Sequence, residues 1–349
     1  MSARLRTQGR AISSMPRSSH SRPRIAFVGL GWIGRKRLDT LVADPDVNFE
    51  VAALVESDAE RLRAAAIAHP EASVIPTVAG LRDEDLDAVV IATPNGLHAS
   101  QAIACLEQGL AVFCQKPLAT TLNDVRRVLA AARVADRLLG IDFCYRHISG
   151  MHELRRRLTS GAIGEILAID LTFHNAYGPD KSWCRDRILA GGGCLLDLGV
   201  HLLDLALWVQ GMPPTERVRS RLFANGQPVQ GCDGALEDLA YAEFIQANGA
   251  IVRLGCSWFA HIGQPARIQM EITGTHGGAS WCNVDGSFYD FDVHWFEGTN
   301  RERLGMSRDD WGARALGAWL QQLRISNRFD AEAEHIVRSA SLIEEVYRA

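Results

Sequence analysis

The chain has 349 residues, 47% of them hydrophobic, and a formal net charge of −4 at pH 7. This hydrophobic content is sufficient for one or two domains, each with its own hydrophobic core. The net charge does not indicate the basic surface that is typical of a nucleic-acid-binding protein. No apolar run approaches the roughly 20 residues that a membrane-spanning helix needs. The eight cysteines form no C-x-x-C pair and no zinc-binding spacing. We therefore expect no nucleic-acid partner, no membrane segment, no metal site, and reduced thiols in a cytoplasmic protein.

Residues 1–23 are rich in arginine and serine and contain no acidic residue. They show no hydrophobic periodicity and no apolar core of a secretory signal, so we expect a disordered arm. A transit-like segment is a weaker interpretation of the same composition.

The first organised element is a β-branched and apolar run, Arg24–Val28, followed by Gly29-Leu30-Gly31-Trp32-Ile33-Gly34 and a helical pattern through Ala43. This is a G-x-G-x-x-G motif between a strand and a helix, the context of a dinucleotide-binding loop. The first two glycines permit a tight turn and close approach of the backbone to a pyrophosphate, and the third permits close helix packing. The motif predicts cofactor contacts from Gly29, Gly31, Trp32, Ile33 and Gly34.

A second predicted strand, residues 49–55, ends at Glu56, which lies 22 positions beyond Gly34. A carboxylate at this place hydrogen-bonds the ribose 2′-OH of NAD and repels the 2′-phosphate of NADP. No arginine is immediately adjacent, so the sequence favours NAD, with NADP less expected. Asp58 is also a candidate N-cap for a helix over residues 59–68.

Strands and helices alternate up to residue 145, with further strands predicted at 73–78, 87–93, 110–114 and 138–144. This alternation predicts a doubly wound parallel sheet, and we assign residues 24–145 to an NAD-binding Rossmann domain. Ligands bind beyond the carboxyl ends of such strands. The residues that fall there are Gly29, Glu56, Thr93, Gln115 and Lys116.

The pattern changes after residue 145. Successive strands with short glycine-containing links, such as Ala247-Asn248-Gly249, predict a second α+β domain over residues 146–349 with a large, open, mostly antiparallel sheet. Two helices near 310–323 and 332–347 close the chain. Because one helix covers only one face, we expect a homodimer or homotetramer through the other face. The apolar strand residues behind this expectation are Phe244, Ile251, Trp258, Phe259, Met270, Trp281 and Trp295.

The stretch from Cys194 to Trp208 is apolar at nearly every position and predicts a helix buried all round. Its polar exceptions are Asp197, His201 and Asp204, whose i, i+4, i+7 spacing places them on one face. Burying an unpaired carboxylate or imidazole is costly, so this stripe indicates a functional cleft or a satisfied polar network. A glycine inside this helix, Gly199, indicates that another group approaches closely.

Only three of the 37 basic residues are lysines: Lys36, Lys116 and Lys181. A position that keeps lysine where arginine is otherwise used can require a compact amine. For Lys36, chance is the favoured explanation.

Several motifs together are characteristic of one family. They include Ala92-Thr93-Pro94-Asn95-x-x-His98, Lys116-Pro117, Ser160-Gly161-Ala162-Ile163-Gly164, and the Gly191–Asp204 pattern with its Asp-x-Gly-x-His-x-x-Asp ending. Over residues 24–349 the sequence resembles the glucose–fructose oxidoreductase, inositol dehydrogenase and rhizopine-catabolism (Gfo/Idh/MocA) family. The resemblance implies NAD(P)-dependent redox chemistry on sugars, cyclitols or related polyols.

The resemblance also carries residue roles. Lys116, Asp197 and His201 match the catalytic Lys/Asp/His constellation of the family, and the loop lining its cofactor matches Thr93, Pro94, Asn95 and His98. One departure concerns Gln115, which also falls at the cofactor. The family usually has glutamate there, and glutamine keeps its size and hydrogen bonding but loses the charge beside the lysine and the nicotinamide.

Oxidising a secondary alcohol requires a proton acceptor, and His201 is the best candidate because an ordinary histidine pKa near 6.5 suits neutral pH. Asp197 would orient that ring or touch the substrate, with Asp204 as a second candidate for orienting it. Lys116 would hydrogen-bond the reacting hydroxyl and stabilise alkoxide character.

Further substrate contacts are expected from Arg146, Lys181 and Trp183, alongside Asp197 and His201. Simple packing explains Trp183 equally well, and surface exposure is the usual state of a loop lysine. The other histidines of this region have no carboxylate or cysteine at metal-ligand spacing, and we give them no role. They are His147, His152 and His174.

The sequence thus predicts an NAD-dependent oxidoreductase that transfers a hydride between nicotinamide and a secondary alcohol of a sugar, sugar acid or cyclitol. Two alternatives stay open. One is an NAD-dependent glycoside hydrolase on the same scaffold, and the other is a non-catalytic NAD-binding regulator. The intact set of proton-transfer residues argues against the regulator.

Overall fold

Six parallel strands form the first sheet of the computed structural model, which describes residues 22–230, 235–308 and 313–349. The strands are β1 (Arg24–Val28), β2 (Glu50–Val55), β3 (Ser73–Ile75), β4 (Ala88–Ile91), β5 (Ala111–Cys114) and β6 (Leu139–Ile141). Their order, β3-β2-β1-β4-β5-β6, is that of a doubly wound dinucleotide-binding sheet, and a crevice opens where the order reverses between β1 and β4. The predicted parallel sheet is therefore confirmed.

Four helices alternate with these strands, as predicted. They are α1 (Trp32–Val42), α2 (Ala59–Ala68), α3 (Asn95–Glu107) and α4 (Leu122–Ala135). Every residue of β4 and β5 is buried, which explains the continuous apolar runs of both strands. The predicted disordered arm lies outside the described residues except for its last two, and Arg22 donates a hydrogen bond to the Phe49 carbonyl at 2.8 Å.

Nine strands form the second sheet. They are β7 (Ile166–Asn175), β8 (Thr215–Ala224), β9 (Gln227–Val229), β10 (Leu239–Gln246), β11 (Ile251–Ser257), β12 (Ala266–Gly274), β13 (Gly278–Asn283), β14 (Asp290–Glu297) and β15 (Asn300–Arg308). The order is β15-β14-β13-β12-β7-β11-β10-β8-β9, and only β7 and β11 pair in parallel. The predicted open, mostly antiparallel sheet is confirmed. Its two end strands, β9 and β15, were not predicted, because β15 is mostly exposed and polar and has no apolar alternation.

Five helices accompany this sheet in sequence. They are α5 (Met151–Thr159), α6 (Arg187–Ala190), α7 (Val200–Val209), α8 (Arg314–Ile325) and α9 (Ile336–Arg348). A π-helical turn, Leu195–Gly199, leads directly into α7. The predicted start of the penultimate helix near residue 310 falls outside the described residues.

The stretch Arg187–Val209, which comprises α6, bends at residues 191–193, the π-helical turn and α7, is long and apolar enough to cross a membrane by length and composition alone. The expectation that no run approaches this length was therefore wrong. However, 72% of its most apolar window is buried inside the molecule, and every residue from Leu202 to Val209 is buried. These properties are those of a core helix.

The apolar strand residues divide between the two faces of the second sheet. Phe244, Met270, Trp281 and Trp295 are buried in the same core as α7, whereas Phe259 is 50% exposed. The outer face is consequently less apolar than the sequence indicated, and the reason given for a partner subunit requires correction.

Helix α8 comes late in the chain but packs against the first sheet. Its Trp319 ring lies 5.5 Å from that of Phe113 on β5, and Leu316 and Leu320 share a core with Ile25 on β1. The C-terminal part of the chain therefore completes the core of the N-terminal sheet.

Candidate active site

The three glycines of the loop between β1 and α1 have different surroundings. Gly29 has φ +86°, and a Cβ there would lie 2.6 Å from the Ala92 carbonyl oxygen. A Cβ on Gly34 would lie 2.0 Å from the Gly29 carbonyl oxygen, so this glycine allows α1 to pack on the loop. By contrast, a Cβ on Gly31 would meet no described atom within 4 Å. The second glycine thus faces open space, as close approach of a pyrophosphate requires.

The N-terminus of α1 lies at this open space. Gly31 is its N-cap, and no side chain of the described residues caps the helix there. A helix N-terminus in this arrangement offers N–H donors and a positive dipole to a phosphate. The Trp32 side chain is half exposed at the loop, and Ile33 is partly buried beside it. These residues fit the pyrophosphate of a dinucleotide.

Glu56 is buried at the end of β2 and braces the glycine loop. The Leu30 N–H donates to its Oε2 at 2.7 Å, and the Asp58 N–H donates to its Oε1 at 2.9 Å. Burial raises the pKa of Glu56, but the N–H donors of Asp58 and Leu30 and the charge of Arg61 outweigh burial, so its pKa lies below the ordinary value. The carboxylate is therefore ionised at neutral pH.

Arg61 approaches the Glu56 carboxylate more closely than the linear sequence indicated. Its Nη2 lies 3.5 Å from Glu56 Oε1 and 3.7 Å from Asp58 Oδ2. Asp58 also caps α2 by accepting the N–H groups of Glu60 and Arg61, as its spacing predicted. The region that would select between NAD and NADP thus contains two carboxylates and one guanidinium.

The loop after β4 supports the crevice in different ways. Thr93 Oγ1 donates to Gln101 Oε1 at 2.6 Å, and Asn95 Nδ2, beside Pro94 at the start of α3, donates to the Ala190 carbonyl at 3.0 Å. His98 is completely buried, with each ring nitrogen 2.8 Å from a carbonyl oxygen, of Pro117 or of Thr93. The cofactor contact expected of His98 is therefore corrected to a supporting role, because its side chain does not reach the crevice.

Lys116, which follows β5, contacts Asp197, which lies in the π-helical turn before α7. Lys116 Nζ lies 3.0 Å from Asp197 Oδ1 and 2.7 Å from the Asp197 carbonyl oxygen, and the Lys116–Pro117 peptide is cis. The other carboxylate oxygen, Oδ2, accepts the Trp258 indole N–H at 2.9 Å. Burial raises the pKa of Asp197, but the charge and hydrogen bond of Lys116, the Trp258 hydrogen bond and the Lys181 charge lower it further than burial raises it.

Trp258 is the site residue that sequence reasoning missed. It was interpreted only as an apolar strand residue, and its side chain is indeed 5% exposed. Its position one residue beyond β11 brings the indole N–H to the Asp197 carboxylate. A buried tryptophan usually finds a partner for its N–H, which is the only signal that could have indicated this role.

His201 follows one turn later and is partly buried beside the aromatic rings of Tyr145 and Phe173, at centroid distances of 4.9 and 6.3 Å. Burial and then the positive charges of Lys116 and Arg37 lower the pKa of His201 well below its ordinary 6.5. Its Nδ1 has no hydrogen-bond partner among the described residues. The proposed role of Asp197 in orienting this ring is thus incorrect, because both carboxylate oxygens bind elsewhere.

Asp204 does not belong to the cleft. It is completely buried and receives two hydrogen bonds from the Arg146 guanidinium, at 2.7 and 2.6 Å, and one from Ser339 Oγ at 3.0 Å. The roles predicted for Asp204 and Arg146 are therefore corrected to a structural ion pair. Asp197 contacts Lys116 whereas Asp204 contacts Arg146 and Ser339, so the predicted polar stripe divides between two sets of partners.

Gly199 ends this π-helical turn and allows close packing. A Cβ there would lie 2.9 Å from Leu195 Cδ1 and 3.3 Å from Cys256 Sγ on β11. The close approach that the sequence indicated is thus made by the second sheet, and it holds the turn that carries Asp197.

Lys181 and Trp183 lie in the irregular segment before α6. Lys181 Nζ is 5.2 Å from the centre of the Trp32 ring, a cation–π distance, and its charge contributes to the low pKa of Asp197. It therefore lies near both the glycine loop and the Asp197 carboxylate. Trp183 is partly buried in a 3₁₀ turn, Ser182–Arg185. Within the described ranges, no three His, Cys, Asp or Glu side chains form a group that could hold a metal ion.

Comparison with protein families assigns both halves of the chain. The model described as "Oxidoreductase family, NAD-binding Rossmann fold" matches residues 23–143. The model described as "GFO/IDH/MocA C-terminal domain" matches residues 151–280. Together they span well over half of the chain.

Individual proteins agree with these matches. D-glucoside 3-dehydrogenase of Escherichia coli (strain K12) is 25% identical over 342 residues, which cover 93% of this chain and 95% of that protein. Inositol 2-dehydrogenase of Acidothermus cellulolyticus is 32% identical over 261 residues, which cover 73% and 71%. The crystal structure of KijD10, a 3-ketoreductase from Actinomadura kijaniata in complex with NADP and TDP-benzene, shares the fold, with a TM-score of 0.77, 24% identity and coverage of 93% and 97%. The chain therefore belongs to the GFO/IDH/MocA family, and it is an oxidoreductase with an NAD-binding Rossmann domain.

Proposed function

We propose that this protein transfers a hydride between nicotinamide and a secondary alcohol of a sugar, sugar acid or cyclitol. The observation that carries the proposal is the ion pair between Lys116 and Asp197, with His201 one turn beyond it, at the carboxyl end of β5. Relatives named glucoside 3-dehydrogenase and inositol 2-dehydrogenase support the class of substrate.

In this mechanism His201 is the general base. Its lowered pKa keeps the imidazole neutral at neutral pH, so it can accept the proton of the substrate hydroxyl. The Lys116 ammonium donates a hydrogen bond to the same oxygen and stabilises the alkoxide character that develops. Asp197 and Trp258 hold Lys116 in position. A dinucleotide held at the glycine loop beside Gly31 and the N-terminus of α1 would supply the hydride acceptor for the carbinol carbon.

We further propose that NAD is the preferred cofactor. The ionised Glu56 carboxylate at the end of β2 favours a free ribose 2′-OH over a 2′-phosphate, and Asp58 adds a second negative charge nearby. Arg61 is the opposing feature, since it could accommodate a phosphate if it left its two carboxylate partners.

The experiment that tests this function is a substrate panel. Sugars, sugar acids, inositols and their keto forms are incubated with NAD(H) and NADP(H), and nicotinamide absorbance is followed. Turnover of at least one polyol with NAD supports the proposal. Binding of NAD without any turnover would contradict it and favour a regulator, and release of a sugar from a glycoside without net NADH would favour a hydrolase.

We also propose a homodimer or homotetramer through the outer face of the second sheet. A row of charges crosses four of its strands, with Arg219 beside Glu243, Glu243 beside Arg253, and Arg253 paired with Asp170 at 2.8 Å. This row borders a groove of about 810 Å³ that also contains the half-exposed Tyr241. Alternating charges suit a self-complementary contact related by a two-fold axis. Sedimentation of a monomer in dilute solution would contradict this proposal.

A cytoplasmic location is proposed from thiol chemistry. The seven cysteines in the described residues are all free, and six of them are buried. Free thiols are typical of a reducing compartment. Cell fractionation tests this proposal, which recovery of the protein from an oxidising compartment would contradict.

A further inference from the structure

A buried ion pair lies behind the catalytic lysine and has no place in the mechanism above. Arg37 on α1 and Asp142, the residue after β6, lie 2.7 Å apart between Nε and Oδ2, and their side chains are 3% and 1% exposed. Two charges this deeply buried stabilise each other, because burying either charge without the other would be costly. The pair therefore joins the helix of the dinucleotide loop to the far edge of the parallel sheet.

Gln115 completes this arrangement. Its side-chain amide Nε2 donates to Asp142 Oδ2, the same oxygen that Arg37 binds. The second oxygen of Asp142, Oδ1, has no partner among the described residues. Gln115 is itself buried, and it directly precedes Lys116. The network thus fixes the backbone segment from which the catalytic lysine extends.

The geometry explains why an amide occupies position 115. A glutamate there would place two carboxylates within hydrogen-bonding distance in a buried place, and like charges at such a distance cannot both ionise. Arg37 supplies one positive charge, which balances one carboxylate. Positions 115 and 142 can therefore hold one carboxylate and one amide between them, and this chain carries the carboxylate at 142.

The network also bears on the general base. The positive charge of Arg37 is one of the influences that lower the pKa of His201, together with burial and Lys116. The carboxylate of Asp142 partly neutralises Arg37, so loss of that carboxylate exposes both the Lys116 segment and the His201 environment to an uncompensated charge.

We propose that Asp142 is a positioning residue that acts through Gln115 on Lys116, and that the carboxylate and the amide of these two positions are interchangeable. The proposal rests on the proposed dehydrogenase function only for the measurement of kcat and KM. It accounts for the glutamine at position 115.

The test compares the wild type with Gln115→Glu, Asp142→Asn and the exchanged Gln115→Glu/Asp142→Asn protein. Three quantities are measured: the thermal midpoint without cofactor, NAD binding by quenching of tryptophan fluorescence, and kcat and KM on a substrate from the panel. Asp136→Asn, which removes a surface partner of Arg328, is the matched control for loss of an aspartate charge.

Each single variant is expected to lower the thermal midpoint and to reduce kcat about 10-fold, with KM for the substrate little changed, because Lys116 is displaced from its productive geometry. The exchanged protein is expected to recover most of both losses, which is a coupling between neighbouring residues. A purely structural role would lower the midpoint but leave kcat of the folded protein unchanged, and would overturn the positioning role.

If the exchanged protein has a thermal midpoint and a kcat no higher than those of the weaker single variant, the two positions are not interchangeable. If a single variant does not fold, a folded exchanged protein supports the proposal and an unfolded one contradicts it. If the wild type turns over no substrate, the dehydrogenase function fails. Thermal and NAD-binding measurements still decide whether the two positions are coupled.

Discussion

The Nζ of Lys116 lies 3.0 Å from Asp197 Oδ1, and this contact joins the end of a Rossmann strand to the π-helical turn of the second domain. The lysine also binds the Asp197 carbonyl oxygen at 2.7 Å. The carboxylate therefore fixes the lysine rather than the histidine. This assignment differs from the one that helical spacing indicated, and it changes what each substitution should do.

Trp258→Phe should lower kcat about 10-fold while NAD binding is retained. The change keeps an aromatic ring but removes the indole N–H that binds Asp197 Oδ2, a hydrogen bond to a charged group. The matched control is Trp319→Phe, because Trp319 packs on the first sheet and its N–H has no partner among the described residues. Equal rates for wild type and Trp258→Phe would show that the indole N–H does not hold the carboxylate.

The pH dependence of alcohol oxidation should show its acidic limb below pH 6.5. Burial and the charges of Lys116 and Arg37 lower the pKa of His201, so the base stays neutral as the pH falls through 6.5 and is lost only when its own lower pKa is reached. The pH profile of kcat/KM from about pH 4 to pH 9 checks this expectation. That range extends about two or more units to either side of 6.5. A limb centred at or above 6.5 would be inconsistent with the structure.

The same shift has a consequence for stability. Below pH 6.5 the unfolded chain takes up a proton on His201 that the folded protein does not, so the free energy of unfolding falls as the pH decreases. His147, whose pKa burial lowers to about 4, contributes in the same direction. Denaturant titrations at pH 7.5 and pH 5, about one or more units on either side of the ordinary histidine pKa, measure the combined effect. No loss of stability at the lower pH would contradict these assignments.

Glu56→Gln should reduce the preference for NAD over NADP, measured as the ratio of kcat/KM values, by roughly 10-fold. The change removes the negative charge that repels a 2′-phosphate and frees Arg61 to bind one. Glu60→Gln is the control, because it removes an exposed carboxylate from the first turn of the same helix, α2. An unchanged ratio in Glu56→Gln would remove this carboxylate from cofactor selection.

Asp204→Asn should destabilise the fold by about 1.5–3 kcal/mol, because it removes the charge that accepts both hydrogen bonds of the partly buried Arg146 guanidinium. Activity per folded molecule should be close to that of the wild type, since Asp204 does not contact the cleft. Denaturant unfolding together with active-site titration separates these two quantities. A loss of kcat without a loss of stability would return Asp204 to the catalytic group.

The sequence was sufficient for the parts of the site that depend on local spacing. The strand–glycine loop–helix pattern predicted the roles of Gly29 and Gly34, and the order of alternating elements predicted that Lys116 lies at the crevice. Helical spacing predicted that Asp197 and His201 lie on one helical segment, one turn apart. These features depend only on the geometry of residues that are close together in the sequence, which the periodicity of the sequence reflects.

Contacts between distant elements could not be obtained in the same way. Trp258 reaches Asp197 because β11 packs against the π-helical turn, and Asp204 meets Arg146 because α7 lies over the segment after β6. The Arg61 side chain extends from α2 towards the end of β2, where it contacts Glu56. Each of these pairings depends on side-chain direction across an interface, about which one-dimensional spacing carries no information.

The central claim is that His201 transfers the proton and Lys116 stabilises the reacting oxygen. Lys116→Ala and His201→Ala should each reduce kcat at least about 100-fold, while NAD binding measured by tryptophan fluorescence is retained. Arg126→Ala, on the exposed face of α4, is the control for loss of a cation and should leave kcat unchanged.

The most direct measurement is therefore single-turnover hydride transfer, followed by nicotinamide absorbance with NAD saturating, in wild type and His201→Ala. The account predicts a slow chemical step with cofactor binding intact. A transfer rate in His201→Ala close to that of the wild type would contradict it.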